Sequence, residues 1–501
     1  MRLLLAPAIA TLALFTSAQD SQDKAERRKP AATPPLNARY ELGWRVRRLE
    51  RAWAANTDVE RRKFALPQIE AAVQHFFGLR LNSAAEALDQ AAHEVLAGSD
   101  GFSCNAANAW VFQPERRLLD LTAESFALTA TLWYSPCVES GSSGSAMTLA
   151  ARLDPEREPL TFPGVDFGER TEVRMALAGR TPGDVQLTVV ATDQGFGSST
   201  HKLTLSIVEK RDERLAALEA ALDKLPDTAP RLERETGKAL LALLKSLAAG
   251  STEETDYPGA RLLAEAEQVV AAAAKGERWY GSARTGQFWL AVPTSEKRST
   301  RARIFVPALP ADAPKPPLVV ALHGAGGSEN MFFDGYGDGE IVRQCETRKW
   351  MLVAPRVGFG SAPVAALVDE LATRFAFDPE RVFVVGHSMG AAAGTSVVLA
   401  DPTRYAAFVA LGGGQAVKDA AKLAGLPIFI GAGERDFGLA GAKSLRDSLL
   451  GSGAKRVLWR EYANTEHLLV VPDALPDVFA WLTSLAGVEG GPQSLGPQRS
   501  R

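Results

Sequence analysis

Residues Gly386-His387-Ser388-Met389-Gly390 lie between an apolar run, Val382-Phe383-Val384-Val385, and a stretch of small residues from Ala391 to Ala400. That order calls for a strand that turns at once into a helix and pushes the Ser388 hydroxyl out at the tip of a sheet. Glycine is needed on both sides of the turn, because a side chain there would clash as the backbone doubles back. The five-residue pattern recurs by chance, so its weight comes from what accompanies it.

A serine held in this way becomes a nucleophile only with a base and an acid in reach. Of the six histidines, His75, His93, His201, His323, His387 and His467, only His467 follows Ser388. It stands in Asn464-Thr465-Glu466-His467, a polar loop between the strand-like Val457-Leu458-Trp459-Arg460-Glu461-Tyr462 and a terminal helix. The acid is sought in the turn Gly431-Ala432-Gly433-Glu434-Arg435-Asp436, which ends the short buried strand Leu426-Pro427-Ile428-Phe429-Ile430. Asp436 is the choice and Glu434, two residues earlier, the rival. Upstream, Pro317-Leu318-Val319-Val320-Ala321-Leu322 reads as a buried parallel strand that runs into His323-Gly324-Ala325-Gly326-Gly327. Such a loop lets backbone N–H groups approach a substrate oxygen, and the amides of Ala325 and Met389 are the expected oxyanion donors. His323 is read as a brace for this loop and not as a proton carrier.

These elements, in this order, resemble an α/β-hydrolase of the esterase type, similar to the carboxylesterase/phospholipase and polyhydroxybutyrate-depolymerase/feruloyl-esterase branches. The resemblance covers residues 285–486, about two-fifths of the chain. Ala325 stands where many lipases carry glycine, which argues against the hormone-sensitive-lipase-like branch. The resemblance implies acyl transfer by Ser388, His467 and Asp436 through a covalent intermediate, with no metal and no organic cofactor. Two alternatives use the same residues differently: a serine peptidase of the prolyl-oligopeptidase type, and a catalytically silent exported binding protein. The middle of the chain lacks the repeated blade pattern of the peptidase's propeller.

At 501 residues the chain is too long for one core, and roughly two to four domains are expected. Net charge is −3 with both signs well mixed, and without a basic stripe nucleic acid is not an expected partner. Arg2, the apolar run Leu3 to Phe15 and the small residues Thr16-Ser17-Ala18 read as an export signal over residues 1–18, too short for a comfortable membrane span. Export to the periplasm or medium agrees with a Cys104–Cys137 disulfide, and Cys345 is left as a buried thiol. Neither a C-x-x-C motif nor a His/Cys cluster is present, so no structural metal is expected.

The expected organisation is multidomain. Residues 19–39 are polar and proline-containing, a linker. Residues 40–98 have helical spacing, with Ile69, Val73 and Phe76 on one face. Over 101–210 the period changes to two, as in Phe126, Leu128, Ala130 and Leu132, which predicts a β-sandwich-like domain that serves either as a spacer or in carbohydrate or partner binding. Residues 212–276 return to helix, with a stripe of Leu215, Leu218, Leu222 and Leu225 for helix packing. The hydrolase segment, 285–486, alternates strand and helix, which predicts a mainly parallel sheet covered by helices on both faces. Residues 487–501 form a glycine- and proline-rich tail.

Between 328 and 349, Met331, Phe332, Phe333 and Tyr336 either wall a substrate pocket or belong to the core. Little chain is left elsewhere for a lid, so an open site acting on a small-molecule or polymer ester is expected.

Overall fold

A computed structural model describes residues 37–97, 106–135, 147–153, 159–165, 170–193, 197–358 and 362–487. The export signal, most of the linker, both Cys104 and Cys137, and nearly all of the tail lie outside the described residues.

In chain order the described residues begin with helices α1 (Ala38–Ala55), α2 (Val59–Phe77) and α3 (Leu81–Ala97). Eight strands follow: β1 (Trp110–Pro114), β2 (Leu118–Asp120), β3 (Ser125–Leu132), β4 (Met147–Leu153), β5 (Leu160–Val165), β6 (Thr171–Ala176), β7 (Gly183–Asp193) and β8 (Gly197–Val208). Helices α4 (Arg211–Asp223), α5 (Arg231–Ala248) and α6 (Gly259–Ala274) come next. The alternation then starts with β9 (Gly286–Ser295), β10 (Arg298–Val306), β11 (Leu318–Leu322), α7 (Met331–Asp334), α8 (Tyr336–Arg348), β12 (Met351–Pro355) and α9 (Val364–Ala372). It ends with β13 (Val382–His387), α10 (Met389–Ala400), β14 (Ala407–Leu411), β15 (Ile428–Gly433), α11 (Leu439–Gly451), β16 (Val457–Tyr462) and α12 (Val470–Leu485). Among these helices none is long and apolar enough to cross a membrane.

The described residues divide into two compact units, one drawn from within 37–45, 67–217 and 241–265, the other from within 46–66, 218–240 and 266–487. This grouping departs from the consecutive segments expected above: residues 46–66 and 218–240 cluster with the C-terminal sheet. Helical periodicity tells which face is buried, but not against which neighbour.

In the first unit, β1, β3 and β6 form an antiparallel sheet, and β2, β8, β7, β4 and β5 a second one, antiparallel except for the parallel pair β2–β8. Inward residues of both sheets, among them Trp110, Phe126 and Met175 from the first and Leu149, Val189 and Leu205 from the second, share one core. The period of two along β4 and β8 reflects one face turned to this core and the other more open, whereas β1 and β3 of the smaller sheet are buried on both faces, with Val111, Ala127 and Thr129 covered as well as the inward residues. Arg45 is fully buried in this unit, where Asp89 at 2.7 Å, Glu41 at 3.0 Å and the carbonyl of Asn108 at 2.9 Å take up its charge.

In the second unit a single eight-stranded sheet has the order β16-β15-β14-β13-β11-β12-β10-β9. From β12 to β16 neighbours are parallel, whereas β9, β10 and β12 pair antiparallel. The unbroken apolar runs need cover on both faces, and successive side chains supply two cores. Leu318, Val320, Val382, Val384, Ile428 and Ile430 pack with α9, α10 and α11. Val319, Ala321, Phe383, Val385 and Phe429 pack with α8 and α12. Strand β9 is not legible in Gly286-Gln287-Phe288-Trp289; it pairs antiparallel with β10, and Phe288, Leu290 and Val292 are buried in the core. Helix α8 is likewise not legible in the sequence, because its start is irregular and rich in glycine.

Candidate active site

Ser388 has φ 55° and ψ −114°, a backbone conformation that an L-residue adopts only under constraint. The constraint is visible in the packing. A Cβ at Gly386 would come within 2.3 Å of the Gly390 carbonyl oxygen, and one at Gly390 within 1.9 Å of the Leu322 carbonyl oxygen. The Ser388 amide donates to the Leu411 carbonyl at 2.9 Å, so the turn is anchored to β14. Ser388 remains partly exposed at the tip of β13, where α10 begins.

The histidine and the acid come from the ends of the next strands. His467 follows β16 and Asp436 follows β15, and His467 Nδ1 lies 2.7 Å from Asp436 Oδ1, both side chains buried. Asp436 Oδ1 also accepts the Gly438 amide at 2.6 Å. Burial on its own would raise the Asp436 carboxyl, but the hydrogen bonds and charge of His467 and the Gly438 amide hold it below the usual carboxylate range. Its rival Glu434 is exposed and accepts the backbone N–H of Asn464 at 3.0 Å. It pins the histidine loop from outside.

On the other side of Ser388 stands the loop after β11. A Cβ on Gly324 would lie 3.4 Å from the Ser388 Cβ, so this loop passes directly beside the serine. His323 uses both ring nitrogens on backbone: Nε2 accepts the Val357 amide at 2.9 Å, and Nδ1–H donates to the Gly324 carbonyl at 2.8 Å. Neither the Ala325 nor the Met389 amide has a hydrogen-bond partner among the described residues. Met389 is the first residue of α10, where an N–H is left over by the helix itself.

The four side chains considered for a pocket wall have different places. Phe332 and Phe333 are buried in the core beneath the sheet, and Met331 packs half-buried against the same cluster. Helix α7 turns their apolar face inward, which the run Met331-Phe332-Phe333 cannot reveal. Tyr336 is 3% exposed, and its hydroxyl lies 2.7 Å from His387 Nδ1.

Two further residues join the site. His387 sits under the His467 ring, with centroids 4.6 Å apart, and its Nε2 lies 3.2 Å from the His467 carbonyl oxygen. Burial, with His467 adding to it, pushes the His387 imidazole down to about 3. On the outside Phe437, 52% exposed, lies against His467 with ring centroids 3.9 Å apart. Both are neighbours in sequence of residues already singled out, and that adjacency was the signal available.

Counted from β9, the sheet order is 1-2-4-3-5-6-7-8. The serine turn follows the fifth strand, the acid the seventh and the histidine the eighth. This is the arrangement of an α/β-hydrolase. No family model matches the chain, and no curated protein matches it by sequence. Among solved structures the chain is similar to an S-formylglutathione hydrolase from Staphylococcus aureus, at 15% identity and a TM-score of 0.34 over 39% of this chain and 97% of that one. Similarity to an S-formylglutathione hydrolase from Agrobacterium tumefaciens is 18% identity and TM-score 0.33, over 40% and 95% of the two chains. For a structure described as a thermostable esterase the values are 14% and 0.36, over 74% and 99%. The assignment of the α/β-hydrolase region itself rests on the strand order and the turn geometry.

Proposed function

We propose that this protein is an exported serine hydrolase that cleaves carboxylic esters. The observation that carries the reading is the 2.7 Å contact between His467 and Asp436 on the loops after β16 and β15, beside a serine held at positive φ. In this reading His467 takes the proton of Ser388 as its oxygen attacks the ester carbonyl carbon, and Asp436 stabilises the imidazolium. The Ala325 and Met389 amides hold the oxyanion, with the α10 N-terminus adding its dipole. Collapse of the tetrahedral intermediate passes the proton from His467 to the leaving alkoxide, so alcohol departs and the acyl group stays on Ser388. Water, deprotonated by the same histidine, then releases the acid and restores the serine. Export is supported by the signal-like residues 1–18.

The short connection between β14 and β15, residues 412–427, supports an open site with no separate cap. Rates on p-nitrophenyl esters from acetate to palmitate are therefore expected to fall as the acyl chain lengthens, with no jump above the substrate's solubility limit. A maximum at long chains with such a jump would point to a lipase. Faster turnover of peptide than of ester substrates would replace the reading by a peptidase.

A further inference from the structure

Tyr336, His387 and His467 are linked by hydrogen bonds whose protons can be assigned. The Gly324 amide lies 3.3 Å from the Tyr336 hydroxyl oxygen, the hydroxyl 2.7 Å from His387 Nδ1, and His387 Nε2 3.2 Å from the His467 carbonyl oxygen. A carbonyl only accepts, so His387 carries its proton on Nε2. Its bare Nδ1 then accepts from the Tyr336 O–H, and the tyrosine oxygen is left to accept from Gly324. The chain of bonds runs from the loop beside Ser388 to the backbone of the histidine loop, and it is buried throughout. Burial keeps both groups uncharged: it pushes the phenol up and the imidazole down to about 3.

The backbone that delivers Tyr336 is strained. Tyr336, Gly337, Asp338 and Gly339 have φ of 48°, 79°, 54° and 73°, four successive left-handed residues of which two carry side chains. That turn is held from several sides. Glu50 accepts the Gly337 amide at 3.0 Å, and Arg51 grips the Asp338 carboxylate at 2.5 and 2.8 Å. Arg343 reaches the carbonyls of Gly337 and Asp338 at 2.6 and 2.5 Å. A Cβ at Gly339 would meet the Phe333 carbonyl oxygen at 2.2 Å. Strained backbone secured in this way gathers at functional sites. Packing alone does not call for the hydroxyl, since a phenyl ring would meet Phe332, 4.7 Å away between centroids, equally well.

We infer that Tyr336 and His387 form an uncharged strut that sets the spacing between the oxyanion loop and the histidine loop, and so act as positioning residues for acyl transfer at Ser388. This rests on the serine-hydrolase reading above. Losing the hydroxyl leaves the Gly324 amide and His387 Nδ1 unpaired and frees one loop against the other. A misplacement of about 1 Å costs catalysis on the order of a hundredfold, and contacts made only in the transition state lower kcat and leave KM alone.

The test is Tyr336→Phe, with rates divided by the amount of serine that a fluorophosphonate titrates, so that misfolded protein does not count. Expected is a fall in kcat of about ten- to a hundredfold with KM within about twofold. Binding of a boronic acid, which forms a tetrahedral adduct, should weaken in step with kcat/KM. His387→Gln, whose amide can donate to His467 and accept from Tyr336, should retain more activity than His387→Leu. Wild-type kcat per titrated serine in Tyr336→Phe, or equal losses in His387→Gln and His387→Leu, would overturn the strut. A wild-type protein that neither takes the fluorophosphonate nor hydrolyses any ester would overturn the serine-hydrolase reading first, and the strut with it.

Discussion

Asp436 concentrates its hydrogen bonds on one oxygen: Oδ1 receives both His467 Nδ1 at 2.7 Å and the Gly438 amide at 2.6 Å, while Oδ2 is buried with no partner among the described residues. An amide at this position would put an NH₂ group either against His467, where it favours the wrong tautomer, or in the unpartnered pocket of Oδ2. Asp436→Asn is therefore expected to lower kcat/KM for esters by about 10³- to 10⁴-fold. Glu434→Gln keeps an acceptor for Asn464 on the surface and should stay within about twofold of wild type. Steady-state kinetics on one chromogenic ester decides between them, and the opposite ranking would make Glu434 the acid.

Glu50 gives the second unit a pH dependence of known sign. Its side chain is buried, Oε1 has no hydrogen-bond partner among the described residues, and burial outweighs the Gly337 N–H to push the carboxyl up to about 7. An unfolded chain releases this proton near 4.3, so between about 4.3 and 7 the native state binds more protons and stability falls as pH rises. Glu50→Gln removes the effect. Its melting temperature relative to wild type should climb between pH 5 and pH 8, with a ceiling of roughly 3 kcal/mol in stability. A difference independent of pH would mean that Glu50 ionises normally.

Ser388 pays for its exposure with strain, and the strain is separable from the chemistry. Both Ser388→Ala and Ser388→Gly remove the hydroxyl, but only glycine relaxes at φ 55° and ψ −114°. Ser388→Gly should exceed Ser388→Ala in stability by about 1 kcal/mol in denaturant unfolding. Equal stabilities would place the constraint elsewhere in the turn.

How much of this could be read from residues alone differs from place to place. Ser388, Asp436 and His467 announce themselves because turn chemistry at strand ends is local: Gly386, Gly390 and Gly433 mark backbone close approaches that no other residue permits. The parallel core strands are legible from unbroken runs such as Val382-Phe383-Val384-Val385. Strand β9 is not, since its place is set by the antiparallel pairing with β10 and by the core that receives Phe288, Leu290 and Val292. Phe332 and Tyr336 look alike as apolar positions, yet one fills the core and the other ends in a hydrogen bond to His387, a distinction made by a left-handed turn whose support comes from Glu50 and Arg51, far away in sequence. His387 lies inside the motif itself. Chain order sets it aside as a base, and only the fold reveals its contact with the His467 backbone.

The central claim is that Ser388 is an activated nucleophile. Incubating the protein with a fluorophosphonate at neutral pH and mapping the adduct by peptide mass spectrometry tests it directly. We expect one stoichiometric adduct, on Ser388, formed together with loss of ester hydrolysis, and no adduct in Ser388→Ala or after denaturation. An intact, folded protein that stays unlabelled, or an adduct on any other serine with hydrolysis abolished, would contradict it.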